Sequence, residues 1–179
     1  FFDREKRSSY APSELDVQPI RTPTTLNTAY QEVMLWNGQF GATGPNAGTQ
    51  SRWTPGTPIA VNNKGFQGLE VQAIAGLGVH RMSFENSRVS TDPTYKWLFD
   101  LAFPEIPKAD RYTDEHAGLA IAAYERTLLA NLAPFQRYLR GNRRAMSDQE
   151  LRGAELFFGK ANCVSCHTGP SLASMSFHA

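Results

Sequence analysis

The chain has 179 residues, 41% of them hydrophobic, and its 18 basic and 17 acidic residues leave a net charge of +1. A chain of this size can bury a core in one or two domains. The balanced charge argues against nucleic acid as a partner, and no apolar run is long enough for a transmembrane segment.

The hydrophobic pattern predicts a helical chain with long loops and no strand, so the predicted class is mostly α. A stretch of residues rich in Gly, Pro, Asn and Thr separates the first helix from the second. In chain order, the predicted elements are an extended arm at 1–25, a helix at 26–37, a loop at 38–67, a helix from Leu69 to Gly76 or Gly78, a helix from Pro93 to about Phe103, a helix from Thr113 to about Leu132 and a short helix from Pro134 to Leu139.

Capping residues mark several helix starts. Asp92 precedes Pro93, which combines an N-cap carboxylate with a proline in the first turn. Thr113 precedes two acidic residues, which favour the N-terminus of the longest predicted helix. Ser147 begins an S-x-x-E capping box, so a further helix should start there and end near Gly159.

The strongest chemical signal is C-x-x-C-H at residues 163–167. Cys163 and Cys166 are the only cysteines, and this spacing allows each thiol to form a thioether with one haem vinyl group, with His167 as the axial iron ligand. A thioredoxin-type dithiol would need a βαβ context, zinc would need further ligands, and a short disulfide would leave the His unexplained. The motif predicts a covalent haem c, and therefore a periplasmic or otherwise exported protein.

Several ordered segments carry a resemblance to a known family. They are R-T-P-T-T-L-N at 21–27, L-W-N-G at 35–38, L-E-V-Q-A at 69–73, Y-E-R-T-L at 124–128, P-F at 134–135 and the stretch at 153–170. Together they resemble the bacterial di-haem cytochrome c peroxidase family, which also includes methylamine dehydrogenase maturation enzymes.

The resemblance implies cytochrome c-like haem domains with long loops. Residues 1–145 would be the remainder of an N-terminal, peroxidatic-type haem domain with a loop inserted at about 38–67. Residues 146–179 would start a C-terminal cytochrome c domain. Hydrogen peroxide would be reduced with electrons received through the haem bound at Cys163 and Cys166. The implied partners are a second haem c in the full-length protein, a small cytochrome or cupredoxin as electron donor, and a second copy in a homodimer.

The resemblance also assigns individual residues. Trp36 matches the Trp implicated as an electron relay between the haems, and Gln72 matches a neighbour of the peroxide-binding face. The alternatives are an ordinary buried aromatic for Trp36 and a polar residue on the exposed side of an amphipathic helix for Gln72. His80 is either a haem ligand or structural, and Met175 or His178 could be a distal ligand.

The sequence also departs from the family pattern. The first C-x-x-C-H should precede Phe1 and a distal Met should follow Ala179, so the chain resembles the middle of a longer protein. Arg81 stands where the family has its catalytic Glu, with Glu85 nearby but shifted, which puts the acid/base role in doubt. Arg21 replaces an Asn of the family's calcium site, so calcium is doubtful.

These departures leave two alternative functions open. The loss of the family Glu at Arg81 favours an electron-transfer cytochrome c module without peroxidase activity. A maturation-type oxidase acting on a protein partner is equally compatible with the sequence.

Overall fold

The computed structural model describes residues 22–84 and 87–173. Within these ranges the chain forms α-helices joined by 3₁₀ turns and loops, and its only β contact is an isolated bridge between Met34 and Phe40. The mostly-α prediction is confirmed. None of the helices in the described part has the length and apolar character that a membrane span requires. The helices are α1 (Gly68–Val79), α2 (Pro93–Ala102), α3 (Asp114–Glu125), α4 (Pro134–Leu139) and α5 (Asp148–Phe158).

The predicted caps are present at the starts of three helices. The Asp92 carboxylate accepts the Thr94 amide at 2.8 Å at the start of α2, and the Thr113 side chain caps α3. At α5 the capping box is complete, with the Ser147 amide donating to the Glu150 carboxylate at 2.7 Å. These contacts satisfy amides that have no partner inside the helix, which is why the helices begin at the predicted residues.

The core lies where α1 and α3 cross. Gly118 of α3 makes the crossing close, since a Cβ atom there would come within 2.6 Å of the Ile74 side chain and 2.7 Å of its backbone. Arg126 directly follows α3, and its guanidinium donates two hydrogen bonds, of 2.7 and 2.8 Å, to the carboxylate of Glu70 on α1. The buried cluster at this crossing consists of Met34, Phe40, Leu69, Val71, Ala75 and Ala122.

The helix predicted at 26–37 is wrong. Only Thr28–Tyr30 forms a 3₁₀ turn, and the backbone is left-handed before it at Asn27 and after it at Leu35. The backbone of this segment forms hydrogen bonds with residues outside it instead. The Met34 amide donates to the Phe40 carbonyl at 2.8 Å, and the Gly68 amide donates to the Glu32 carbonyl at 2.8 Å. These tertiary hydrogen bonds replace the i to i−4 bonds of a helix, and the one to Gly68 holds the segment against the start of α1.

The predicted end of α3 near Leu132 is also wrong, because the helix ends at Glu125. The following backbone pairs with Asn27 instead of continuing the helix. The Asn27 amide donates to the Leu128 carbonyl at 2.9 Å, and the Ala130 amide donates to Asn27 Oδ1 at 2.8 Å. The end of α3 is therefore set by hydrogen bonds to a residue about one hundred positions away in the sequence, and the local sequence does not indicate it.

The predicted loop at 38–67 contains 3₁₀ turns and is anchored by the fully buried Asn62. The Asn62 side chain accepts the Gly41 amide and donates to the Gln39 carbonyl, each at 2.9 Å. Trp53 is also buried, and its indole N–H donates to Thr49 Oγ1 at 3.2 Å. The loop therefore holds fixed positions against the core although it has no α-helix or strand.

Candidate functional site

The C-x-x-C-H motif forms a tight turn directly after α5. Asn162 adopts a left-handed backbone and starts the 3₁₀ turn at Cys163–Ser165. The amides of Cys166 and His167 both donate to the Cys163 carbonyl, at 3.2 and 2.9 Å. Both cysteines are free thiols, and Cys166 is exposed. One turn of backbone thus brings two accessible thiols and an imidazole together.

The His167 imidazole is oriented by the chain that follows it. Its Nδ1 lies 3.1 Å from the carbonyl oxygen of Leu172, a residue with a left-handed backbone at φ 53°. With the proton on Nδ1, this hydrogen bond fixes the ring and leaves Nε2 as the free lone pair, which is the arrangement that metal-ligating histidines use. The Phe157 ring packs beside it, with 5.9 Å between ring centres.

An apolar cleft of about 300 Å³ opens beside the motif. The Phe135 ring of α4 stacks on the Phe158 ring of α5 at 5.6 Å, and a Cβ atom at Gly153 would meet no neighbour within 4 Å. Apolar walls with open space, next to two thiols and an oriented imidazole, fit a covalently bound haem. The lining residues are Phe135, Met146, Glu150, Gly153, Ala154, Phe157, Phe158 and Leu172.

A metal site of another kind finds no support in the same region. Across residues 22–84 and 87–173, no three His, Cys, Asp or Glu side chains come together as metal ligands.

A second pocket, of about 200 Å³, lies where α1 and α3 meet the chain at 22–28. Gln72 is half-buried in its wall and does not lie on an exposed helix face. The small residues Ala73 and Gly76 continue that wall along α1, and a Cβ atom at Gly76 would meet nothing within 4 Å. The remaining lining residues are Thr22, Pro23, Thr24, Thr25, Thr28, Met34 and Glu125.

Glu125 is the residue of this pocket that the sequence patterns missed. It is half-buried, and burial raises the pKa of its carboxyl above the ordinary value. The adjacent Arg126 is engaged by Glu70 and does not neutralise Glu125. No sequence pattern marks Glu125, because its burial arises from the packing of α1 on α3.

Trp36 is fully exposed, which makes the alternative of an ordinary buried aromatic wrong. It sits at the tip of the loop closed by the bridge between Met34 and Phe40, both of which are buried in the core. The Gly38 amide donates to the Leu35 carbonyl at 3.0 Å and tightens this tip. The indole ring is therefore exposed at the tip of a loop whose base is held in the core by Met34 and Phe40. Trp36 does not line the pocket that contains Gln72, although Met34 links the two regions.

The other candidate residues lie apart from both pockets. His80 caps the C-terminus of α1 and is exposed, as is Arg81, whose backbone is left-handed at φ 54°. Neither of them lines the pocket with Gln72. Phe1, Arg21, Glu85, Met175 and His178 lie outside the described residues.

Comparison with known proteins identifies the family of the chain. A family model described as di-haem cytochrome c peroxidase matches residues 2–144. The chain is 32% identical to the methylamine utilization protein MauG of Methylophilus methylotrophus over 88% of its length. It is 42% identical to a cytochrome-c peroxidase of Denitromonas iodatirespirans over 87%, and 30% identical to the cytochrome c peroxidase of Escherichia coli over 90%. These matches cover 40%, 35% and 29% of the relatives, so the chain spans less than half their length.

Proposed function

Because the chain belongs to the di-haem cytochrome c peroxidase family, we propose that it is part of an oxidoreductase that reduces hydrogen peroxide with electrons from a donor protein. One observation supports this proposal most strongly. The apolar cleft lies beside two free thiols and an imidazole whose Nδ1 is already engaged, which is the set of groups that covalent haem attachment requires. We propose a periplasmic or otherwise exported location on the same ground.

The residues around the cleft have distinct roles in this proposal. Cys163 and Cys166 would form the thioether links, and His167 would offer Nε2 to the iron while the Leu172 carbonyl holds Nδ1. When bound, the haem would supply the redox centre that receives electrons from a small cytochrome or cupredoxin. The rings of Phe157 and Phe158 would give that haem an apolar contact surface, one of the factors that tune a haem's redox potential.

The pocket on α1 is the proposed peroxide site. Gln72 can donate a hydrogen bond from its amide to a peroxide oxygen, and the small residues beside it leave an open wall for a flat group. A second haem c is proposed for this face in the full-length protein. Trp36, fixed and fully exposed, is the proposed relay between the two haem sites.

The proposed organisation follows the prediction from sequence. Residues 1–145 belong to the peroxidatic-type domain and 146–179 start the second haem domain. A homodimer is proposed by analogy with the family alone.

The direct test uses the full-length protein loaded with both haems. With reduced small cytochrome as donor, it should oxidise the donor when hydrogen peroxide is added. The double variant Cys163→Ala/Cys166→Ala should lose one covalent haem and donor oxidation, whereas the control Ser165→Ala keeps the motif and should retain both. Absence of peroxide-dependent donor oxidation in the fully loaded wild type would contradict the proposed activity.

An electron-transfer module without peroxide chemistry is the second candidate, because Arg81 replaces the family Glu and lies outside the pocket. In that case Arg81→Glu should create or raise peroxidase activity. Rapid reaction of the wild type with peroxide would rule this candidate out. The resemblance to the MauG protein keeps a maturation-type oxidase as a third, to be separated by activity on a protein substrate.

A further inference from the structure

Glu125 is the last residue of α3 and the one titratable side chain among the described residues that line the peroxide pocket. Its carboxyl makes no hydrogen bond or ion pair with the described residues, whereas threonines, small residues and Gln72 form the rest of the wall. A half-buried carboxyl without a counter-ion is costly to keep charged, and burial raises its pKa accordingly. Such a group exchanges protons closer to neutral pH than an ordinary glutamate does.

The other charged and titratable groups of these elements do not line the pocket. Arg126, the residue after Glu125, gives two hydrogen bonds to Glu70 and one, of 3.0 Å, to Gln67. The groups on α1 and α3 and directly after α1 that are absent from the pocket wall are Glu70, Asp114, Glu115, His116, Tyr124, His80 and Arg81.

We propose that Glu125 is the catalytic acid/base of the peroxide pocket, in the role for which position 81 offers no carboxylate. The inference rests on the proposed peroxidase function. Gln72 orients hydrogen peroxide, and the Glu125 carboxylate accepts a proton from one peroxide oxygen. It would then return that proton to the other oxygen, which leaves as water when the O–O bond breaks. The haem proposed for this face would accept the remaining oxygen atom, which two electrons from the donor protein and two protons from solvent convert into the second water, and Glu125 ends in its starting state.

The test compares Glu125→Gln with Glu105→Gln in the full-length, haem-loaded protein. Glu105 is exposed and lines neither pocket, so the same isosteric change there removes a carboxylate that is not part of the site. Glu125→Gln should lower kcat/KM for peroxide by about 100-fold or more, the usual contribution of general acid–base catalysis. It should also abolish the acidic limb of the pH–rate profile, while Glu105→Gln leaves both unchanged.

Cyanide binding provides a readout that does not depend on turnover. Hydrogen cyanide must give up a proton to bind as the anion, and Glu125 is the proposed acceptor. Glu125→Gln should therefore slow cyanide binding at least about tenfold and remove its dependence on the carboxyl titration, whereas Glu105→Gln should not.

The outcomes separate the two hypotheses. If the wild type does not reduce peroxide, the proposed function fails, and the cyanide profile still tests Glu125. If Glu125→Gln matches the wild type in both readouts, the inference is overturned. Glu125→Asp, which keeps a carboxylate, should retain more activity than Glu125→Gln, and an equal loss in both would instead indicate a packing role.

Discussion

Glu125 and Arg126 are adjacent at the end of α3, yet they have opposite environments. Arg126 lies against Glu70 and Gln67 with its guanidinium satisfied, and Glu125 lines a pocket without a partner. The sequence could not show this difference, because Y-E-R-T-L presents both residues as exposed charges on a helix. The packing of α1 on α3 separates them by supplying a competing carboxylate.

Replacing Arg126 with Ala should cost about 2 to 4 kcal/mol of unfolding free energy, because the mostly buried Glu70 would lose its partner. Arg126→Lys should recover only part, since an ammonium cannot form the two-pronged contact. Denaturant titration measures both. Lys64→Ala removes the more exposed pair with Glu115 and should cost less than about 1 kcal/mol. Equal losses of unfolding free energy in Arg126→Ala and Lys64→Ala would contradict the expectation that the more buried ion pair contributes more.

Elements differ in how well the sequence predicts them. The starts of α2, α3 and α5 follow from caps that bond within the same few residues, so their signal is local. The false helix at 26–37 and the early end of α3 depend on partners that are more remote in sequence, such as Gly68 for the Glu32 carbonyl and Ala130 for Asn27.

Gly118 controls how closely α3 approaches α1. Gly118→Ala should destabilise the protein by about 1 to 3 kcal/mol, because the new methyl group would collide with the Ile74 backbone and force the helices apart. Thermal or denaturant unfolding measures the loss. Gly78→Ala, at an α1 position where a Cβ atom meets no neighbour, should be neutral or slightly stabilising. A loss of similar size at both positions would contradict the assignment, because Ala has the higher helix propensity and only a steric clash explains a loss.

The start of α5 should depend on pH through Glu150. Hydrogen bonds from the Ser147 amide and hydroxyl lower the pKa of the Glu150 carboxyl below its ordinary value. A lowered folded pKa means that the stabilisation is fully present above the pKa of the unfolded state and is lost as pH falls through the folded pKa. Exchange of the Ser147 amide, corrected for intrinsic rates, should then accelerate. In Glu150→Gln this added pH dependence should be absent, and its persistence would contradict the assignment.

At the scale of the whole molecule, the two pockets described above are built from different parts of the chain, and the fully exposed Trp36 lines neither of them. The haem cleft uses α4, α5 and the turn after them, and the peroxide pocket uses α1, α3 and the chain at 22–28. The sequence singles out Cys163, Cys166 and His167 as proposed haem ligands because they form one contiguous motif. Apart from Gln72, it could not predict which residues line the second pocket, because Thr25, Gln72 and Glu125 meet only through tertiary packing.

Trp36 should matter for electron transfer and not for folding. Because its side chain is fully exposed, Trp36→Phe should change the unfolding free energy by less than about 0.5 kcal/mol. In the full-length protein it should slow electron transfer between the two haem sites, measured by stopped-flow spectroscopy. Trp53→Ala, a buried control, should instead cost about 3 to 5 kcal/mol. Unchanged transfer in Trp36→Phe would contradict the relay role.

The bond between Asn27 and Ala130 also has a kinetic consequence. It joins residues 103 positions apart, so forming the α1–α3 unit closes a long chain segment. The conformational entropy of that segment is lost before the contacts that compensate for it have formed. The haem cleft draws only on residues between Phe135 and Leu172, whose separations are short. Local contact order therefore favours the cleft as the faster-forming region, so the thiols can be presented for haem attachment before the peroxide pocket has assembled.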